Sequence, residues 1–309
     1  MSLADYANFS NYAVASATVV LALSWLAYLA EWGFARQVVP SKELVGAGAA
    51  APVQGELPER SQVAGGIGTS LASLAMVVLL AAVVARGLAA ERVPWGNMYE
   101  FSCMAILVAL VAYLVLVRAW DISWLGPIVT GFGTIVLGLS MLVYVPAGPL
   151  VPALHSYWLY IHVVGAMVAG SAFLVGAASS ALYLVKARAE RLTPVGERVG
   201  YIWRLPSSAA MDQISFRVHA FAFPIWTFAA LIAGPIWAQY AWGRYWGWDP
   251  KEVWAFVTWV VYAGYLHARV TAGWKGKAAA IIAIIGFATF IFNFVGVNIY
   301  VPGLHSYAK

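Results

Sequence analysis

Eight apolar windows follow one another along this chain, near residues 12–34, 67–88, 98–118, 122–143, 158–186, 214–236, 252–270 and 279–300. Each has the length of about 20 residues that a helix needs to cross a hydrocarbon core roughly 30 Å thick. With 62% hydrophobic residues, only 10% charged and a mean hydropathy of +0.79, most of the 309 residues must lie in lipid rather than in a soluble core. The chain reads as an all-α integral membrane protein, a bundle of eight transmembrane helices.

Lysine and arginine set the expected orientation. With both termini outside, thirteen of the eighteen basic residues fall on inner loops, among them Lys186, Arg188, Arg191, Arg198, Arg204 and Arg217, and the positive-inside rule then favours N-out, C-out. The net charge of +5 is explained by this topology, and the basic residues are too dispersed to form a nucleic-acid footprint. The opening Met1-Ser2-Leu3-Ala4-Asp5-Tyr6 lacks a basic n-region and no Ala-x-Ala cleavage site stands out after the first apolar run, so that run is expected to remain as a helix. Two parts are expected: residues 1–66, a first helix with a flexible cytoplasmic linker rich in Gly, Ala and Pro, and residues 67–309, the main transmembrane domain. Cys103 stands alone within the third window, which excludes a disulfide or a Cys-x-x-Cys redox pair within the chain.

No loop is long enough to hold a separate domain, so chemistry is expected at the bundle itself, and the stretch 237–252 is where it concentrates. Trp237, Trp242, Trp246 and Trp248 recur there beside Arg244, Asp249, Lys251 and Glu252, between the sixth and seventh windows and, in this topology, on the extracytoplasmic side. Asp249-Pro250 with Glu252 has the pattern of an N-cap, a proline at the first helical position and a capping-box carboxylate. Asn97 and Glu100 repeat it for the third helix. Indoles at a membrane interface often form only an aromatic belt. Here Gly243 and Gly247 space them in a way that admits close approach of a ligand, and the combination suits a large planar amphipathic ring such as a porphyrin. Arg244 and Lys251 are placed to meet its carboxylates.

There are five histidines. His155, His162 and His305 lie at outer helix ends and can approach the tryptophan loop. His267 is 17 residues beyond Pro250, roughly 25 Å deeper at 1.5 Å per residue, and cannot share a metal with them. His219 lies near the inner side and reads as a hydrogen-bonded helix residue. Pro152-Ala-Leu-His155-Ser-Tyr157 is echoed by Pro302-Gly-Leu-His305-Ser-Tyr307, which by symmetry alone pairs His155 with His305.

Trp242-Gly-Arg-Tyr-Trp-Gly-Trp-Asp-Pro-Lys-Glu252 resembles the WWD signature of haem-handling proteins. With Asn97-Met-Tyr-Glu100, Pro152 to Val163, Trp259 to Arg269, Gly273-Trp-Lys-Gly276 and Gly303-Leu-His305-Ser-Tyr307, residues 90–307 resemble the CcsA (ResC) family of system II cytochrome c biogenesis. The resemblance implies that haem b is bound as substrate and attached covalently to Cys-x-x-Cys-His segments of apocytochrome c, a haem-lyase activity shared with a CcsB (ResB) type membrane subunit. It implies a bacterial cytoplasmic membrane, or a thylakoid membrane in a plastid, with the active site on the extracytoplasmic face. A thioredoxin-like thiol reductant is a further partner it suggests. It assigns His162 and His305 as outer axial ligands, His267 to a transmembrane haem site completed by a partner histidine, and Trp242, Trp246, Trp248, Asp249, Arg244 and Lys251 to the haem environment. His155 stands where the family carries Gln, so the resemblance selects His162. Two other readings remain open at this level: a haem exporter or chaperone without ligation activity, and a purely structural bundle.

Overall fold

The computed structural model describes residues 1–35, 58–120, 122–194, 197–198 and 200–305. Among them it contains helices and loops and no strand. The helices are α1 (Leu3–Phe34), α2 (Glu59–Ala90), α3 (Met98–Trp120), α4 (Gly126–Ser140), α5 (Tyr157–Leu192), α6 (Ser208–Phe228), α7 (Gly234–Trp242), α8 (Pro250–Val270), α9 (Lys277–Ile291) and α10 (Val297–Tyr300). Two π-helical turns, Ala229–Ala233 and Phe292–Gly296, join α6 to α7 and α9 to α10, so each of these pairs is one bent rod.

Among the described residues, seven stretches are long and apolar enough to cross a membrane: α1, α2, α3, Ser123–Val143, α5, Ser208–Trp242 and Lys277–Tyr300. The eight-span expectation is met for these seven. The remaining one, α8, forms a helix of 21 residues but falls short in hydropathy. Its Trp254, Trp259, Tyr262, Tyr265, His267 and Arg269 carry polar atoms that an apolar span lacks. Instead of facing lipid all round, α8 packs against α6 and α9 and buries Tyr262 and Tyr265 in an aromatic core with Phe173 and Trp226.

The first helix is built into the bundle. Small buried residues, Ala13 and Ala17 on α1 with Ala72, Ala75 and Ala82 on α2, let the two backbones approach. Hydroxyls then join them: Ser10 donates to the Ala82 carbonyl at 2.8 Å, Ser24 to that of Gly68 at 2.7 Å, and Ser61 to that of Glu31 at 2.9 Å. Residues 36–57 of the expected linker lie outside the described residues. Residues 59–66 are the opening turns of α2, which begins ahead of its apolar window because Glu59, Arg60 and Gln62 support helix without contributing hydropathy. Cys103 is a free, buried thiol in the core between α1, α2 and α3.

A buried ionic cluster holds the end of the bundle where α3 starts. The Glu100 amide donates to Asn97 Oδ1 at 2.9 Å, and the Glu100 carboxylate accepts from Arg86 Nε at 2.9 Å, Arg92 NH1 at 2.7 Å and the Gly96 amide at 2.9 Å. The same arginines reach across to carbonyls of the 144–150 loop, Arg86 to Val145 and Arg92 to Gly148. Glu100 is therefore more than a cap; it neutralises two cations and ties two loops together. Replacing Glu100 with Ala would leave both arginines uncompensated, and the expected cost of about 3–5 kcal/mol should appear as a lower unfolding temperature of the detergent-solubilised protein.

Candidate functional site

The Trp237–Glu252 stretch folds around Asp249. As expected from the sequence, Asp249 caps α8, with a reciprocal capping box through Glu252, whose Oε2 accepts from the Asp249 amide at 3.0 Å and from the Gly247 amide at 2.8 Å. The Asp249 carboxylate also reaches the far end of the chain. It accepts the Leu304 amide at 2.6 Å and His305 Nδ1–H at 2.8 Å. Gly303 lies so close to this carboxylate that a Cβ there would meet Asp249 Oδ1. Burial alone would raise the Asp249 pKa, but the hydrogen bonds from His305 and from the Leu304 and Lys251 amides outweigh it and hold the carboxyl below its ordinary value. Burial lowers the His305 pKa, and the Asp249 hydrogen bond opposes that only in part. The imidazole is thus neutral near pH 7, with its proton on Nδ1 and its lone pair on Nε2.

His162 reaches the same place from α5 and is fixed by an equivalent device. The first π turn shifts the helix ladder so that the Gly234 amide bonds to the Ala229 carbonyl, five residues back, just before Pro235, which has no amide proton to give. That carbonyl also faces His162 Nδ1 at 2.8 Å. A carbonyl can only accept, so the proton lies on Nδ1 and the lone pair on Nε2. The His162 ring stacks on Trp237, with centroids 5.9 Å apart and planes 14° from parallel, and the other contacts of Trp237 are edge-on, to Trp242 at 4.9 Å and to His305 at 5.5 Å. Trp237 is itself fixed by donating to the Ala153 carbonyl at 2.9 Å.

These groups wall a cavity open to the surface, whose non-atom space with open solvent included is about 1040 Å³. Of the residues singled out from sequence, His162, His305, Trp242, Trp246 and Lys251 line it. Asp249 acts one step behind, through His305. Trp248 is 68% exposed, meets Trp246 edge-on at 5.8 Å and holds a left-handed φ of 56°. Arg244 is exposed and folds back over Gly247, away from the lining. The expected glycine freedom is used at Gly243, where φ is 73° at the end of α7; at the second corner Trp248 takes the positive φ instead of Gly247.

His155 is exposed and does not line the cavity, so the sequence echo with His305 has no structural counterpart. His267 is exposed near the other end of α8, with Thr271 as its neighbour at 3.4 Å. His219 is fully buried, donates from Nδ1 to the Ser215 carbonyl at 2.7 Å and lies among Phe173, Tyr262 and Tyr265, a core residue of the bundle. Sequence reasoning missed four lining residues of consequence: Trp95, Trp237, Asn293 and Phe294. Trp237 stood in the tryptophan run but was not separated from it. For Asn293, a polar residue in the middle of an apolar window was the available signal.

Residues 95–305, which contain the whole cavity, match the model of the Cytochrome C assembly protein family. The cytochrome c biogenesis protein CcsA of Parasynechococcus marenigrum (strain WH8102) is 35% identical over 274 residues, covering 80% of this chain and 88% of that one. CcsA of Synechococcus elongatus (strain ATCC 33912 / PCC 7942 / FACHB-805) is 34% identical over 290 residues, with coverage of 79% and 86%. Among solved structures, the Cytochrome c Heme Lyase CcmF superposes on 95% of this chain and 47% of its own with a TM-score of 0.64 at 17% identity, a likeness of fold. The chain thus belongs to the cytochrome c assembly protein family, among relatives named CcsA, as an integral membrane protein with a role in cytochrome c maturation.

Proposed function

We propose that this protein holds haem, as substrate, in the aromatic cavity and presents it for covalent attachment to Cys-x-x-Cys-His segments of apocytochrome c, as one subunit of a synthase completed by a CcsB (ResB) type membrane subunit. The observation that carries this reading is the pair His162 and His305: two histidines from distant parts of the chain, both held through Nδ1, both against Trp237, both lining one cavity. Imidazole nitrogens so oriented are the ordinary axial donors to haem iron. The indoles and phenyl rings of the wall suit the macrocycle, and Lys251 supplies a cation for a carboxylate.

In this proposal α8 crosses as the eighth span and the orientation is N-out, C-out, which puts the cavity on the extracytoplasmic face where apocytochrome arrives. Attachment needs no electron: each cysteine S–H adds across a vinyl group, the sulfur bonding to one vinyl carbon and the proton ending on the other. What this chain's residues supply is orientation of the ring, axial donors, and a wall that excludes water. His267, near the inner end of α8 and left uncovered by this chain, fits a second haem site whose other ligand comes from the partner subunit. From there haem would pass outward.

Three outcomes test the reading. His305→Ala should remove the outer haem and its Soret absorbance while haem at the His267 site stays bound. Asp249→Asn, which weakens the group that orients His305, should lower haem affinity by roughly 10- to 100-fold without unfolding the protein, measured by haem titration. Because burial lowers the His305 pKa, its Nε2 stays unprotonated as pH falls, so outer haem should be retained through the usual histidine value of about 6.5 and be lost only at more acidic pH. The decisive assay is co-expression with a CcsB-type partner in cells lacking their own maturation system. Covalent haem on a reporter cytochrome is the expected result; haem binding without any covalent product would assign the protein to the exporter class, and absence of a Soret band would make it a structural bundle.

A further inference from the structure

Among the described residues, two polar atoms in the cavity wall have no hydrogen-bond partner. Asn293, 8% exposed, sits in the second π turn with its Oδ1 buried and without a hydrogen-bond partner among the described residues. Trp95, on the loop ahead of α3, has a buried Nε1–H in the same condition. Both line the cavity, whose wall around them is aromatic: Phe101 and Phe294 meet there at 4.8 Å and Trp95 lies on Tyr160 at 5.2 Å. Burying a donor or acceptor without a partner is costly, and in a wall this apolar the ordinary residues at such positions would be Phe or Leu. The neighbouring indoles show the contrast. Trp237 donates to Ala153, Trp226 to Ala255 and Trp259 to Thr227.

We propose that Asn293 and Trp95 form a polar anchor for the carboxyl-bearing edge of the ring that occupies this cavity, which rests on the haem reading above. A carboxyl oxygen accepts from Trp95 Nε1–H, and the Asn293 amide meets the carboxyl edge from the second π turn. In its neutral form the carboxyl also donates its O–H to Asn293 Oδ1 and so satisfies both unmatched atoms; a carboxylate can only accept, from Trp95 Nε1–H and from the Asn293 amide N–H. The histidines fix the iron, and a pair of axial ligands leaves the ring free to turn about the axis joining them. Asn293 and Trp95 remove that freedom, and so decide which edge of the ring faces the incoming thiols.

The test separates the anchor from haem binding itself. Purified full-length protein is titrated with ferric haem and with its dimethyl ester, which keeps the iron, the ring and the vinyl groups but cannot ionise or donate. The unsubstituted protein should prefer haem. Trp95→Phe and Asn293→Leu, each retaining an apolar wall, should weaken haem by roughly 3- to 10-fold and weaken the ester less, since its carbonyl still accepts but carries neither charge nor O–H, and so narrow the preference. The Soret position should stay that of the bis-histidine complex in both variants. If both variants keep the unsubstituted ratio of haem to ester, the anchor is wrong while the histidine site stands. If the unsubstituted protein binds neither compound, the haem reading fails and the anchor with it. Should Asn293→Leu not fold, Trp95→Phe alone decides, since the indole lies on a loop outside the helix core.

Discussion

Within a bilayer a helix can interrupt its hydrogen-bond ladder only where some other group takes up the backbone polarity it releases. This protein interrupts two of its spans, and both interruptions face the same cavity. At Ala229–Ala233 the shifted ladder gives the Ala229 carbonyl a second donor in His162 Nδ1. At Phe292–Gly296 it presents Asn293 and Phe294 to the interior. The breaks therefore create the site: they turn selected residues inward, and one of them fixes the tautomer of a histidine.

The second fixed point is the Asp249 carboxylate. A single side chain starts α8, receives the Leu304 amide and holds His305, so the end of the tryptophan loop and the end of the chain are joined through two oxygens. Asp249 needed no separate capping partner because Glu252 closes the loop amides behind it. His162 and His305, 143 positions apart, thereby reach Trp237 from opposite elements, both held through Nδ1. The buried Arg86–Glu100–Arg92 cluster does comparable work for the loop that carries Trp95, with ionic hydrogen bonds in place of a helix break.

Seven of the helical spans were readable because the cost of exposing charge to lipid writes itself into long apolar runs, and the capping signals at Asp249 and Asn97 were local enough to read directly. The remaining one, α8, reads as a span from its apolar window at 252–270, yet its hydropathy is diluted by the aromatic and polar tips it buries against α6 and α9. The start of α2 was misjudged for the opposite reason, since a helix can extend past the membrane with polar residues that hydropathy does not register. The linker between α1 and α2 told little beyond its composition.

What the sequence determined was the kind of protein and the cast of the site: membrane helices, a tryptophan loop, and histidines at helix ends, all of them consequences of side-chain solubility and short-range capping. Which histidine faces the cavity was another matter. His155 and His162 are seven residues apart and equally plausible ligands by type, but the Ala229 carbonyl, which the π turn ahead of Pro235 brings to His162 Nδ1, holds His162 at the cavity while His155 is left on the surface. Likewise Arg244 folds over Gly247 and Lys251 stays at the wall. Such choices depend on where a distant backbone carbonyl or carboxylate happens to end in three dimensions, and no local pattern of residues encodes that.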